Sequence, residues 1–162
     1  MGHPRIPAAA FCRYPCNVSQ SKLTRIFIAE DSEFLRDILV RSLNAMEGVV
    51  VVGHARSGEE AISGVGEARP DIVLLDLAMP AGSGFTVLEA LRPAGDRPFV
   101  VVLTMHTQAA FREQCHQLGA HVFLDKASEI QRLLDALHDL AGRDFELPEL
   151  LNAFSHHHQT AE

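Results

Sequence analysis

The sequence predicts an α/β fold, a doubly wound sheet of five parallel strands connected by five helices. Two observations carry this prediction. From Thr24 onward, short apolar runs rich in Val, Ile and Leu alternate with longer stretches whose apolar residues recur at helical spacing, the pattern of βαβ units. Four of the apolar runs also end directly at acidic, hydroxyl or basic side chains. Because the carboxyl ends of parallel strands share one sheet edge, where open α/β sheets bind ligands, these side chains are expected to converge.

The bulk composition narrows the function classes. The 162 residues suffice for one domain with its own core, and no apolar run approaches the ~20 residues that span a bilayer. The formal net charge is −7 and the basic residues are scattered, which argues against direct nucleic-acid binding. Three cysteines indicate free thiols rather than a disulfide framework. Without a secretory signal, a cytoplasmic location is expected.

Three segments are predicted along the chain. Residues 1–22 contain three prolines and no periodicity, which is typical of a flexible N-terminal extension. Residues 23–142 form the predicted domain. Residues 143–162 form a C-terminal tail that has room for a helical turn but not for a second domain. The tail's apolar residues are expected to cover the last helix or a dimer seam, and the three histidines at 156–158 are interpreted as solvated.

The first half of the predicted domain begins with a strand at Ile26–Ala29. Ser32 is a good N-cap for the first helix, and Gly48 is placed to end it. The helix is expected to turn a set of apolar residues inward: Phe34, Leu35, Ile38, Leu39, Leu43 and Met46. The second strand, Val49–Val52, is a run of valines, so both of its faces are expected to be covered.

The middle of the chain carries the second helix, the third strand and the third helix. Residues 57–60 have the spacing of a capping box, Ser-x-x-Glu, and open the second helix. Two glycines weaken that helix by about 1 kcal/mol each relative to Ala, Gly64 and Gly66. The third strand is Ile72–Leu75. A tight loop that includes Gly84 leads to a short helix over 85–91.

The last third of the domain repeats the alternation. The fourth strand follows Pro98, and the fourth helix carries Phe111, Cys115 and Leu118 on one face and stops at Gly119. The fifth strand is predicted at 121–124. A capping box at 128–131 opens the fifth helix, which ends at Gly142 and buries Ile130, Leu133, Leu134, Leu137 and Leu140.

Chemically useful side chains follow four of these strands. Glu30 and Asp31 follow the first strand, Asp76 the third, Thr104 ends the fourth and Lys126 follows the fifth. Three carboxylates, a hydroxyl and an ammonium group in one pocket suit a divalent cation, which prefers oxygen ligands, together with a phosphoryl group.

The order and local sequence of these groups resemble a response-regulator receiver domain over residues 24–142. The resemblance rests on Ile-Ala-Glu-Asp-Ser at 28–32, on 71–80, on Gly84, on Leu103-Thr104 and on 119–126. The last third is similar to receivers that precede helix-turn-helix output domains, although no output domain follows here, so a stand-alone receiver is expected. The resemblance implies a flavodoxin-like fold with strand order 2-1-3-4-5.

The resemblance also implies a role for each site residue. Asp76 would be the phosphoacceptor, Thr104 would bond a phosphoryl oxygen, and Lys126 would pair with the phosphoryl charge. Phe123 matches an aromatic residue that turns inward when the domain is activated. Mg²⁺ would be held by carboxylate and carbonyl oxygens, those of Glu30, Asp31, Asp76 and the backbone carbonyl of Ala78.

The function that follows is phosphorylation-activated signalling. A sensor histidine kinase or a phosphotransfer protein would phosphorylate Asp76, and a face around the fourth helix, fifth strand and fifth helix would then bind a downstream protein or a second copy. No separate enzymatic turnover is expected. Ala78 offers no polar group to orient a hydrolytic water and Met105 is bulky, so the phosphorylated state is expected to last minutes or longer.

Three alternatives remain open. A phosphate shuttle or sink in a phosphorelay would use the same pocket. A flavodoxin-like cofactor carrier is disfavoured because no phosphate-cradling loop follows the first strand and Trp is absent. An aspartyl-phosphate hydrolase is disfavoured because Asp76-Leu77-Ala78 lacks a second aspartate two residues on to act as acid and base.

Overall fold

One parallel sheet organises the part of the chain that the computed structural model describes, residues 23–92, 98–141 and 147–155. Its five strands have the order β2-β1-β3-β4-β5. All four strand pairings are parallel. The strands are β1 (Thr24–Ala29), β2 (Val49–Ala55), β3 (Ile72–Leu75), β4 (Phe99–Thr104) and β5 (Val122–Asp125). The predicted fold class and strand order are confirmed.

Six helices lie in the described ranges: α1 (Glu33–Asn44), α2 (Gly58–Ala68), α3 (Gly84–Leu91), α4 (Ala109–Gln117), α5 (Ile130–Leu140) and α6 (Leu147–Ser155). The first five are the predicted helices. The sixth has nine residues and lies in the tail, where the sequence suggests only a turn. None of the described helices is long and apolar enough to cross a membrane.

Two apolar layers enclose the sheet. Side chains on one face pack with α1, α5 and α6, and those on the other face pack with α2, α3 and α4. Every residue of β3 and β4 is buried, as expected for central parallel strands. The expectation that β2 is covered on both faces is wrong. Only Val49 and Ala55 are fully buried there, because β2 is an edge strand.

The predicted inward face of α1 is partly wrong. Ser32 Oγ does accept a hydrogen bond from the Leu35 N–H, which confirms the N-cap. Phe34 and Ile38, however, are 77% and 39% exposed, whereas Arg36 is buried together with Leu39 and Leu43. The buried positions are spaced i, i+3 and i+7, and this stripe turns Phe34 and Ile38 toward solvent. The helix ends at Asn44, before the predicted Gly48.

The start of α2 is close to the predicted capping box. Ser57 Oγ accepts a hydrogen bond from the Glu60 N–H, as expected. The Glu60 carboxylate accepts from the N–H of Arg56, one residue before the cap. Inside the helix, Gly64 faces Phe27, since a Cβ there would lie 2.7 Å from the ring. Gly64 therefore makes room for a core aromatic.

The C-terminus of α4 agrees with its prediction, whereas the N-terminus of α5 does not. Gly119 has φ +89° just after α4, and the following Ala120 N–H donates to the Cys115 carbonyl, a Schellman-type end. The capping box predicted at 128–131 does not form. Ser128 Oγ instead bonds the Asp125 carboxylate, and α5 begins at Ile130 without a side-chain cap.

Several predictions fall outside the described residues. These are the extension at 1–22, the helix end at Gly142 and the histidines at 156–158.

Candidate functional site

The sheet brings the predicted strand-end residues to one edge. Backbone hydrogen bonds continue one step beyond the strands. The Asp76 N–H donates to Ala29 O at 2.9 Å, and the Lys126 N–H donates to Thr104 O at 3.0 Å. These bonds fix the backbones of the acidic and basic residues relative to the neighbouring strands.

Lys126 lies between two buried carboxylates. Its Nζ is 2.6 Å from Asp76 Oδ2 and 2.8 Å from Glu30 Oε2. Burial lowers the pKa of Lys126, but the hydrogen bonds and negative charges of Asp76 and Glu30 together raise it above its ordinary value. Burial raises the pKa of Glu30, and the Lys126 hydrogen bond only partly offsets that effect. The ammonium group therefore stays charged and ties β1, β3 and β5 together.

The three carboxylates form one cluster. Glu30, Asp31 and Asp76 each offer an oxygen within 4.8 Å of the others. Asp31 is exposed whereas Glu30 and Asp76 are buried, so the cluster opens to solvent on the Asp31 side. This all-oxygen donor set with one open side fits Mg²⁺, which takes few carboxylates and keeps water or phosphate oxygens as its other ligands. Glu30, Asp31 and Asp76 are the residues that would hold it.

The remaining predicted site residues are Thr104, Ala78 and Phe123. Thr104 is fully buried, and its Oγ1 accepts a hydrogen bond from the His106 N–H. The Ala78 N–H donates to Asp76 Oδ1 at 3.3 Å, while the metal-binding role of the Ala78 carbonyl stays a prediction. Phe123 is buried. The Arg112 guanidinium lies 4.6 Å from the centre of its ring and donates to its carbonyl oxygen.

Sequence reasoning missed Arg36. Its side chain is only 6% exposed, and Nη1 donates to Glu30 O at 2.9 Å and to Asp31 O at 3.4 Å. The guanidinium therefore fixes the backbone that carries two of the three carboxylates. The available signal was the spacing of Arg36 with Leu39 and Leu43, which puts a charge on the buried face of α1.

Two backbone contacts hold the loop after Asp76. The N–H groups of Gly58 and Glu59, at the start of α2, donate to Pro80 O and Ala81 O. At the other end of the loop, a Cβ on Gly84 would lie 2.4 Å from the Asp76 carbonyl oxygen, so only glycine permits this approach. Gly84 thus belongs to the site although it carries no functional group.

Comparison with known proteins agrees with this architecture. The family model of the response regulator receiver domain matches residues 26–138. The chain is 36% identical over 129 residues to the uncharacterized transcriptional regulatory protein YvfU of Bacillus subtilis, with 79% of this chain and 64% of that protein covered. It is 42% identical over 119 residues to protein-glutamate methylesterase/protein-glutamine glutaminase 5 of Myxococcus xanthus, with 73% and 34% covered. The chain thus spans less than two thirds of either protein.

Solved structures give the same result. A two-component response regulator of the LuxR family from Aurantimonas sp. SI85-9A1 aligns with a TM-score of 0.67 at 28% identity, covering 82% of this chain and 96% of that one. The CheX-CheY-BeF3-Mg complex from Borrelia burgdorferi aligns with a TM-score of 0.60 at 27% identity, covering 70% and 88%.

Proposed function

The chain belongs to the response regulator receiver domain family, and from this premise we propose that it is a signalling receiver that accepts a phosphoryl group on Asp76. The donor would be a sensor histidine kinase or a phosphotransfer protein. The observation that carries the proposal is the Lys126 ammonium 2.6 Å from the Asp76 carboxylate, with two further carboxylates beside it.

The transfer itself needs a nucleophile and charge neutralisation. An Asp76 carboxylate oxygen forms the new bond to phosphorus, the bond from phosphorus to the donor histidine nitrogen breaks, and that nitrogen keeps the electron pair. Phosphoryl transfer is catalysed mainly by positioning and by offsetting negative charge. Lys126 supplies one positive charge, and Mg²⁺ held by the acidic cluster would supply the rest. The buried hydroxyl of Thr104 is the proposed donor to a phosphoryl oxygen.

The proposed response is a change on the surface formed by α4, β5 and α5, which would bind a downstream protein or a second copy. Added charge at one site can bias a two-state domain in this way. Phe123 is the proposed intermediary. Arg112 of α4 contacts both the ring and the carbonyl oxygen of Phe123, so a movement of the Phe123 side chain would displace Arg112 and thereby act on α4.

Phosphorylation with a small donor tests the proposal. The protein is incubated with Mg²⁺ and acetyl phosphate, and intact mass is recorded. One phosphoryl adduct is expected, absent in Asp76→Asn and retained in Asp37→Asn, a matched change at an exposed position of α1. An adduct that persists in Asp76→Asn would refute the assignment. Turnover of a phosphomonoester without an adduct would support the hydrolase alternative instead.

The lifetime of the phosphoryl adduct tests whether the side chains of Ala78 and Met105 orient a hydrolytic water. Ala78 is exposed but apolar, and Met105 is 61% exposed beyond Thr104. We expect the adduct to last minutes or longer after the donor is removed, because neither side chain orients water. Ala78→Asn adds a polar group and is expected to shorten the lifetime. A wild-type lifetime of seconds would contradict this reasoning.

A further inference from the structure

Helix α6 packs on α5 and buries Phe154 in the apolar cluster that includes the edge strand β5. In the described part of the chain, β5 is the last strand of the sheet, and α6 packs on the neighbouring α5. Phe154 of α6 is buried in the same apolar cluster as Val122 and Leu124 of β5 and Leu133 of α5. The sequence left open whether the tail covers the last helix or a dimer seam, and Phe154 is placed on this chain's own α5 and β5.

A cavity beside α6 is lined by residues of α4 and β5 as well as of α6. It is lined by Arg112 and His116 of α4, by Phe123 of β5, and by Leu151 and Phe154 of α6. The surface that α6 occupies therefore adjoins the α4, β5 and α5 surface to which the proposed function assigns the response.

A continuous series of polar contacts leads from the turn at Lys126, beside the carboxylate cluster, to α6. The Asp125 N–H, next to Lys126, donates to Glu129 Oε2 at 2.8 Å. Glu129 Oε1 forms an ion pair with Arg132 Nη1 at 2.6 Å. Arg132 Nη2 donates to the carbonyl oxygen of Phe154. The Glu129 carboxylate is thus engaged on both sides, by the β5–α5 turn and by Arg132.

We propose that α6 is a detachable cover whose attachment is coupled to the phosphoryl state of Asp76, an inference that rests on the proposed function. Lys126 Nζ lies 2.6 Å from Asp76 Oδ2, so a phosphoryl group on this oxygen displaces the ammonium group from its present contact. Lys126 then moves to pair with the phosphoryl oxygens instead, and it begins the turn that carries Glu129. The displaced turn weakens the hold of Arg132 on Phe154, and α6 is released.

The length of α6 suits such a cover. A nine-residue helix is not stable in water by itself, so its order depends on the contacts made by Phe154 and Arg132. Loss of those contacts releases the whole segment and exposes the apolar side chains of β5 and α5. The uncovered surface is then free for a partner.

Hydrogen exchange on the full chain tests the coupling. Amide protection over 147–155 is measured with Mg²⁺ alone and with Mg²⁺ plus beryllofluoride, a phosphoryl mimic whose binding is followed separately by fluorine NMR. We expect protection of α6 to fall by about tenfold, within the usual range of coupling between two sites. Protection of β1, β3 and β4 should not fall.

Thermodynamic reciprocity gives a second measurement. If beryllofluoride loosens α6, then loosening α6 must raise the affinity for beryllofluoride by the same factor. Arg132→Gln removes the contacts of Arg132 with Glu129 and with the Phe154 carbonyl. Phe154→Ala removes the apolar contact of α6 and serves as the second variant should Arg132→Gln fold poorly. Asp139→Asn, at an exposed position of α5, is the matched control and should leave the affinity unchanged.

The outcomes separate the two proposals. Binding of beryllofluoride with unchanged or increased α6 protection overturns the coupled cover and leaves the receiver function intact. An unchanged affinity for beryllofluoride in both Arg132→Gln and Phe154→Ala also overturns the coupled cover and leaves the receiver function intact. Failure of beryllofluoride to bind the wild-type protein overturns the receiver function and, with it, the coupling.

Discussion

Replacing Gly84 by alanine should damage the pocket without touching a functional group. A Cβ at this position would lie 2.4 Å from the Asp76 carbonyl oxygen and 2.8 Å from Leu77 Cα, whereas ordinary contact begins at 3.4 Å. The two backbones must therefore separate by about 1 Å. Neither side yields readily, because α3 is packed in the core and the Asp76 N–H is bonded to Ala29 O.

The magnitude follows from that displacement. A shift of about 1 Å in a reacting group can cost on the order of 100-fold in rate. Overpacking a close contact typically costs about 1–3 kcal/mol of stability. We therefore expect Gly84→Ala to fold with a lower unfolding free energy and to be phosphorylated by acetyl phosphate about 100-fold more slowly than wild type.

The assay compares two glycine variants. Rates of adduct formation come from intact mass, and stabilities come from urea unfolding. Gly66→Ala is the matched control, since nothing lies within 4 Å of its Cβ and the position is inside α2. It should react at the wild-type rate and gain about 1 kcal/mol from helix propensity. A Gly84→Ala protein that reacts at the wild-type rate would refute the claim that this contact positions Asp76.

Three further predictions use other contacts. Gly64→Ala should lose about 1–3 kcal/mol in urea unfolding despite its better helix propensity, because its Cβ meets Phe27 at 2.7 Å; a gain in stability would mean that the ring can move aside. Arg36→Met should weaken Mg²⁺ binding by about tenfold in calorimetric titration, since it removes the donor that orients the acidic loop, whereas Arg41→Met on the exposed face should not. Burial raises the pKa of Cys115 to about 11, so at pH 8 its peptide should be alkylated slowly in the native protein and rapidly in urea; fast native labelling would contradict this.

The parts of the fold that sequence predicted well are those decided by local chemistry. β3 and β4 are uninterrupted apolar runs, and a run of this kind is buried wherever it is placed in a parallel sheet. Ser32 and Ser57 cap their helices through neighbours three residues away, which requires no tertiary information. The same reasoning predicted that the acidic residues and Lys126 meet, because strand ends in one parallel sheet lie at one edge.

The errors have tertiary causes. Counting apolar residues placed Phe34 and Ile38 inward on α1, but the helix turns Arg36 inward because the carbonyls of the β1–α1 loop accept its hydrogen bonds. The capping box predicted at 128–131 does not form, because Ser128 Oγ donates to the Asp125 carboxylate at the end of β5 instead. In each case a local signal competed with a partner whose position the folded chain determines.

The charges of the carboxylate cluster explain how Lys126 would serve both the phosphoryl transfer and the proposed release of α6. With every group ionised, the three carboxylates of the cluster and Lys126 leave two more negative than positive charges, which a divalent cation would balance. The proposed phosphoryl group would upset that balance again, and the cationic side chain in direct contact with Asp76, among the described residues, is Lys126. Because Lys126 also begins the turn that leads through Glu129 to α6, the proposed movement toward the phosphoryl group would act on that turn. A lysine directly after β5 would therefore couple neutralisation of the new charge to the surface that α6 covers.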